Sequence, residues 1–543
     1  MRRFSLLLCC LALIAGGLWV GGRREARSLA LPVLAPDASA IDRGTAAFIG
    51  ADFGGLSLDA LQTNAIPWRL AAASLVLDAQ AQDPDLPRDL QTLAEVLSGF
   101  GFLTGAEIAN APEGMVTTGH NMPLGITFGD LAPIAGTRLR VANLGCAACH
   151  AGVAYDDDGR PDPGRAWLGM PNTSINLEAY TLALFRAMSA AVEQPDVLLA
   201  TVDALYPDLG AAERYTLRWA VLPMVRARLN EIDGARPLPF SNGQPGSTNG
   251  VAALKYVFGV PLLDGGPGDA GIVSVPDLGY RHWRTGFLVD GAYGVPGTDQ
   301  SGVRTAANDT PAHRAALAAI TTFFTVPSMG VSPDRALTQT AVAEDILTFL
   351  SDAYRPQTFP GQIDSGLAAR GAEIYAAQCA ACHGTYATDR GAVELVSFPN
   401  WIGDVGTDPL RADVFSDTLL QAFPGTPYAT VMEVRRTGAY AAPPLTGLWA
   451  SAPYLHNGSV PTLAALLAPS TRPAQFQVGG HALDFERMGI LLEDGRYPDG
   501  YVPFSDPVTY DTRQAGQGNA GHTYGRELTP ADRFALIEFL KRL

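Results

Sequence analysis

Cysteine and histidine recur in this chain in one five-residue arrangement. Cys-Ala-Ala-Cys-His stands at Cys146–His150 and again at Cys379–His383, and of the six cysteines only Cys9 and Cys10 lie outside the two copies. Two thiols spaced in this way can each add to a vinyl group of a porphyrin, making two thioethers. The adjoining imidazole is then placed to ligate the iron. The same pairs could instead close two local redox disulfides or supply halves of a zinc cluster. A redox Cys-x-x-Cys requires no following histidine, however, and zinc needs further ligands at regular spacing. The recurrence of His after both pairs therefore reads as two covalently attached haem c groups. Cys146, Cys149, Cys379 and Cys382 hold them, and His150 and His383 are the proximal ligands.

What each iron can do depends on its opposite face. Six histidines remain, His120, His282, His313, His456, His481 and His522, with Met122, Met329, Met432 and Met488 as softer rivals. For most of them a hydrogen-bonded imidazole, or a methionine filling the core, is the plainer reading. His456 stands apart because the apolar stretch from Leu445 to Leu455 leads into it and an Asn-Gly turn follows. His522 reads as a group that orients backbone or a haem propionate. His120, in Gly119-His-Asn-Met-Pro-Leu-Gly125, precedes the first motif and is a candidate displaceable ligand there. Glu107 and Glu113 are candidates for an acid/base near the first motif, set against plain solvation in a polar loop. Trp283, Trp401 and Trp449 are candidates for an aromatic bridge between the two irons.

The elements that must position these groups are clearest around the second motif. Residues 366–378 form a helix with Leu367, Gly371, Ile374 and Tyr375 along one side, running directly into Cys379. Thr529 caps a final helix with Pro530 at its first position and Phe534, Ile537, Leu540 and Leu543 on one stripe. This pair resembles the two-helix frame of class I cytochrome c, and Gly371 would allow the helices to cross. The first half repeats the frame, with residues 341–352 as its closing helix and about 190 residues intervening after His150, helical near 175–230. The segment Arg355–Ile363, with Pro356, Pro360 and Gly361, reads as a linker. The expected fold is mainly α with long irregular loops, in two cytochrome c-like domains. Residues 1–28 form a signal peptide or N-terminal anchor, 29–354 an N-terminal haem domain with the large insertion, 355–365 the linker, and 366–543 the C-terminal cytochrome c domain.

Composition agrees with a globular chain: 47% of the 543 residues are hydrophobic and 17% charged. The 40 prolines and 58 glycines suggest many loops. The net charge of −16 argues against nucleic acid and anionic membrane surfaces as partners. Arg2 and Arg3 followed by the apolar run Phe4–Val20 read as an export signal, which places the protein in the periplasm or outside the cell. The run is also near the length of a membrane span, so an uncleaved segment would act as an anchor.

The segment Tyr454-Leu-His-Asn-Gly-Ser-Val-Pro-Thr-Leu463 resembles the signature of the bacterial di-haem cytochrome c peroxidase superfamily, and is most similar to its di-haem rubber oxygenase branch. Asn143–Gly152, Gly406–Arg411, Tyr510–Thr512, Gly518–Gly525 and Ala535–Lys541 agree with that branch. The resemblance spans roughly residues 95–543 and is densest after 365. It implies that His456 is the sixth ligand of the second haem, with Met488 as the rival. The second haem would then transfer and store electrons, and the first, open or weakly ligated, would activate peroxide or dioxygen. It also implies an apolar pocket over the first haem, for which Phe323–Phe324 or Phe100 and Phe102 are candidates. A calcium ion between domains is implied too, although the oxygen-rich stretch Asp156–Asp162 lacks a full ligand loop and reads as a solvated turn. The functions in play are a peroxidase-like oxidoreductase, served by a small periplasmic electron donor, a dioxygenase cleaving a hydrophobic alkene, and an electron carrier. The long insertion weighs against the carrier.

Overall fold

The helix pair around the second motif forms from local signals. Asp364 caps the helix Ser365–Gln378, its carboxylate accepting from the amides of Gly366 and Leu367 at 2.8 and 2.9 Å. The C-terminal helix Pro530–Leu540 is capped by Thr529, which accepts from Asp532 N at 3.1 Å. The two cross at Gly371, where a Cβ would stand 2.0 Å from the Ala535 carbonyl oxygen. Tyr375 packs on Phe539 beside the crossing, with ring centres 5.1 Å apart. Gly371→Ala should therefore force the helices apart, lowering the unfolding free energy by about 1–3 kcal/mol, the usual cost of overpacking. A denaturant midpoint equal to that of the wild type would remove this close approach as a determinant of the fold.

The buried face of the last helix departs from the stripe the periodicity suggests at its first position and is broader than that stripe. Phe534 is exposed, whereas Ile537, Leu540 and Leu543 are buried as expected, together with Ala535, Leu536 and Phe539. The crossing decides this, because only a small residue such as Ala535 fits against Gly371. Glu538 is also buried; it accepts from Asp364 N at 2.8 Å and pairs with Lys541, which ties the helix to the segment before its partner.

This computed structural model describes residues 27–28, 34–50, 66–113, 115, 123–131, 139–232, 237–262, 271–298, 302–325, 332–387 and 393–543. The run Phe4–Val20, His120, Met122 and Met329 lie outside the described residues. In the first half the helix Ala40–Ile49, capped by Ser39, meets the helix Thr340–Thr348, which continues as a π turn over Phe349–Ala353. Here too a glycine marks the crossing, since a Cβ on Gly44 would stand 2.0 Å from the Asp345 carbonyl oxygen. Unlike Ser365–Gln378, the helix Ala40–Ile49 does not run into its motif. Cys146–His150 instead follows the antiparallel strands Ile126–Leu131 and Leu139–Leu144 and leads into the hairpin Ala151–Tyr155/Pro161–Leu168. The insertion packs the helices Leu177–Ala191 and Pro195–Leu205 on Trp68–Gln82.

The fold is mixed α/β rather than mainly α. Eight small sheets are present among the described residues, built from strands of two to eight residues. Strands this short present too few alternating positions for a period of two to be read from sequence, so they merge with the Gly- and Pro-rich loops. The linker is also not free. Phe359 is buried against Trp449 and Phe485, and the carbonyls of Arg355 and Gln357 accept from the indoles of Trp167 and Trp449 at 2.9 and 3.0 Å. No helix among the described residues is long and apolar enough to cross a membrane.

Candidate functional site

Both Cys-x-x-Cys-His motifs open into one cavity of about 660 Å³. Its wall includes Cys146, Cys149 and His150 from the first motif and Cys379, Cys382 and His383 from the second. All four cysteines are free thiols, half-buried. Burial pushes the Cys146 and Cys149 thiols up to about 12 and Cys379 up to about 11, so they are held as neutral thiols.

Each motif histidine is fixed in the same manner. His150 Nδ1 donates to the Pro276 carbonyl at 3.2 Å, and His383 Nδ1 donates to the Pro443 carbonyl at 2.9 Å. A carbonyl only accepts, so the proton sits on Nδ1 and Nε2 keeps its lone pair in both rings. Burial pushes His150 down to about 4, with the Arg281 charge adding to the shift, and lowers His383 as well. Neutral imidazoles with a donated Nδ1–H are what a metal ligand requires.

The ring packed opposite His383 is His522. Their centres are 6.3 Å apart and their planes inclined by 58°. That spacing suits one metal ion held between two ring nitrogens at about 2 Å each. His522 Nδ1 has no hydrogen-bond partner, and burial, then the neighbouring His383, pushes the ring down to about 4. The loop that carries it is gripped by Arg472, which donates to the carbonyls of Gly521 at 2.8 Å, His522 at 3.1 Å and Leu466 at 2.9 Å. His522 N donates to Val405 O at 2.7 Å, and its φ of +44° is a left-handed conformation that a non-glycine residue adopts only when its surroundings impose it. Gly521 lies so close to the Gly406–Thr407 backbone that a Cβ would stand 2.2 Å from Gly406 C.

His456 also lines the cavity, yet its ring stacks on Tyr440 at 4.1 Å and 24° rather than on His383. Both its nitrogens lack partners, and burial, then the charge of Arg411, pushes it down to about 3. Arg411 is itself buried and paired with Asp290 at 2.7 Å. Met488 is buried in the C-terminal core, at the turn joining the strands Leu483–Asp484 and Gly489–Ile490, and is not among the lining residues.

The wall near the first motif is mostly apolar. Phe48, Val251, Phe287, Phe324, Ile346 and Leu350 contribute to it. Phe323, the neighbour of Phe324, is in the core behind, against Tyr428 and Tyr293. Phe100 and Phe102 pack on Tyr180 away from this wall, and Glu107 and Glu113 are exposed at the surface. Of the three tryptophans, Trp401 lines the cavity, whereas Trp283 packs on Tyr280 and Trp449 on Tyr155.

Residues that sequence reasoning missed are Asp277, Arg281 and Arg284. All three line the cavity. Arg281 Nε donates to the Asp277 carbonyl at 2.7 Å and Arg284 Nη2 to the Leu288 carbonyl at 3.0 Å. Neither guanidinium has an ion-pair carboxylate among the described residues, although burial lowers the pKa of both and brings Arg284 down to about 9. Asp277 near Arg281 and Asp290 near Arg284 offset only part of the cost of burying these cations. Porphyrin propionates would supply direct carboxylate partners, so this wall fits a haem in charge. No spacing in the sequence marks these arginines. Asp156, in the stretch considered for calcium, accepts from the amides of Asp158 and Arg160 at 3.0 and 2.8 Å within its own turn.

Comparison with known proteins places part of this architecture. Residues 439–477 match the family described as RoxA-like, cytochrome c-like, and residues 366–447 match cytochrome C oxidase, cbb3-type, subunit III. The chain is similar to the uncharacterized protein y4iJ of Sinorhizobium fredii, 24% identical over 532 residues, covering 83% of this chain and 85% of that protein. It is also similar to the uncharacterized protein y4iM of the same organism, 30% identical over 227 residues, 36% of this chain and 49% of that protein, so the match spans about half the length of this relative. Residues 366–477 are thus of cytochrome c type, and with Cys379–His383 among them this is a protein that carries covalently bound haem c.

Proposed function

We propose that this protein is an exported di-haem c-type oxidoreductase with two unequal iron sites, acting on dioxygen or peroxide. The observation that carries the reading is the asymmetry of one cavity: His383 faces a second imidazole, His522, whereas the wall near His150 is mostly apolar. The haem groups supply one-electron redox chemistry at iron, the second as an electron store and the first as the place where the oxidant would bind. Cys379, Cys382, His383 and His522 hold the second, and Cys146, Cys149 and His150 the first. His522 takes the role expected for His456. Arg281 and Arg284 hold propionate charge, while Phe48, Phe287, Phe324 and Ile346 exclude water from the first site.

The apolar wall favours dioxygen with a hydrophobic alkene as co-substrate over peroxide. The carboxylates Glu107 and Glu113 are exposed and stand off the cavity, so neither is available there to move a proton between peroxide oxygens. Electrons for the second site would come from a small periplasmic donor. Low-temperature EPR of the purified protein tests the scheme. The expected spectrum contains one signal from the bis-histidine site that ignores oxidants and a second that changes on adding dioxygen or peroxide. Two low-spin signals, both indifferent to either oxidant, would leave only electron carriage.

A further inference from the structure

The two proximal histidines are joined by a path that alternates hydrogen bonds with short backbone stretches and passes through one buried carboxylate. His150 Nδ1 donates to the carbonyl of Pro276, and the next residue is Asp277. Asp277 is buried, and its side chain accepts from Tyr354 Oη at 2.5 Å, Gly279 N at 2.8 Å and Thr446 Oγ1 at 3.0 Å. Thr446 belongs to the other half of the chain. Three residues before it stands Pro443, whose carbonyl accepts from His383 Nδ1. Tyr386 braces the same segment, accepting from Leu445 N at 2.6 Å while donating to the His383 carbonyl at 3.2 Å.

Close packing holds the two segments against each other. A Cβ on Gly279 would stand 2.4 Å from Thr446 Oγ1, and one on Gly447, at φ +58°, would stand 2.5 Å from Asp277 Oδ2. Planar peptides and the restricted φ of Pro443 and Pro444 make each segment stiff. Fixing Asp277 therefore fixes the direction of the Pro276 carbonyl, and fixing Thr446 fixes that of Pro443.

We infer that Asp277 is a positioning residue for both iron sites, locking the carbonyl acceptors of His150 and His383 into one unit through Thr446. This rests on the di-haem reading above. A carbonyl that holds the Nδ1 proton makes the imidazole a better donor to iron and favours the oxidised state. Slackening one shared joint should therefore raise both midpoint potentials together.

Thr446→Val removes the joining hydroxyl and keeps the side chain's shape, whereas Thr446→Ser keeps the hydroxyl. Spectroelectrochemical titration of the intact holoprotein resolves the two haems. The expected result is that both midpoints rise in T446V and both return to the wild-type values in T446S. Should T446V lose haem, Asp277→Asn, which weakens the same acceptor, carries the same expectation. A shift in only one midpoint, no shift, or a serine variant behaving like valine would overturn the inference, provided that wild type carries two haems by pyridine haemochrome assay. One haem or none in wild type would instead overturn the di-haem reading beneath it.

Discussion

His522→Ala is expected to convert the second haem from low spin to high spin, with loss of the bis-histidine EPR signal and no loss of covalently attached haem. His383 would remain as ligand on one face, because its Nδ1 contact with Pro443 is independent of the 518–525 loop. The change should be complete rather than partial, since Met488 is packed in the C-terminal core and off the cavity wall. His456→Ala is the matched control. Its ring stacks on Tyr440, so its removal should leave the low-spin signal intact. The opposite pattern, with the low-spin signal lost in His456→Ala and kept in His522→Ala, would return the sixth ligand to His456. A substitution of Arg472, which grips the carbonyls of the loop, should loosen the same ligand and give a mixture of spin states.

Replacing Cys146 and Cys149 together by alanine is expected to halve the covalently bound haem and abolish reaction with the oxidant, while the low-spin signal of the second site persists. The two motifs lie in different packing environments, which is why one can be emptied without the other. Cys146 packs against the core that contains Phe48 and Phe349, Cys149 against the core of the helical insertion, and Cys379 against the C-terminal core. Haem quantified from the denatured protein reads the result directly. Full haem content in the double variant would overturn the attachment chemistry at the first motif, and retained oxidant reactivity would move that role to the second.

Much of the frame was legible because its signals are local. Thr529 caps the last helix through atoms within a few residues, and Gly371 marks a crossing through one contact that only glycine permits. The first half was harder. Its crossing helix, Ala40–Ile49, is separated from Cys146 by residues 50–145, so nothing in the neighbourhood of the motif points to it. The sheets escaped for a different reason. Pairs such as Leu483–Asp484 with Gly489–Ile490 are two residues long and owe their strand geometry to what packs on them.

Covalent chemistry is what the sequence by itself determined: two cysteines and a histidine on one turn carry haem attachment within five residues, and no distant contact is needed to recognise it. The opposite ligand is another matter. Nothing in Tyr454–Leu463 or Gly518–Gly525 states which histidine will face His383, because 72 residues separate it from His456 and 138 from His522. Only the tertiary structure brings one of them beside His383, with Arg472 and Gly521 seating the 518–522 loop on Gly406 and turning His522 toward the motif, which supports the role proposed for it. The joint between the halves at Asp277 and Thr446 was likewise invisible in one dimension. A ligand pair is a distance, and distances between remote segments are set by packing rather than by spacing along the chain.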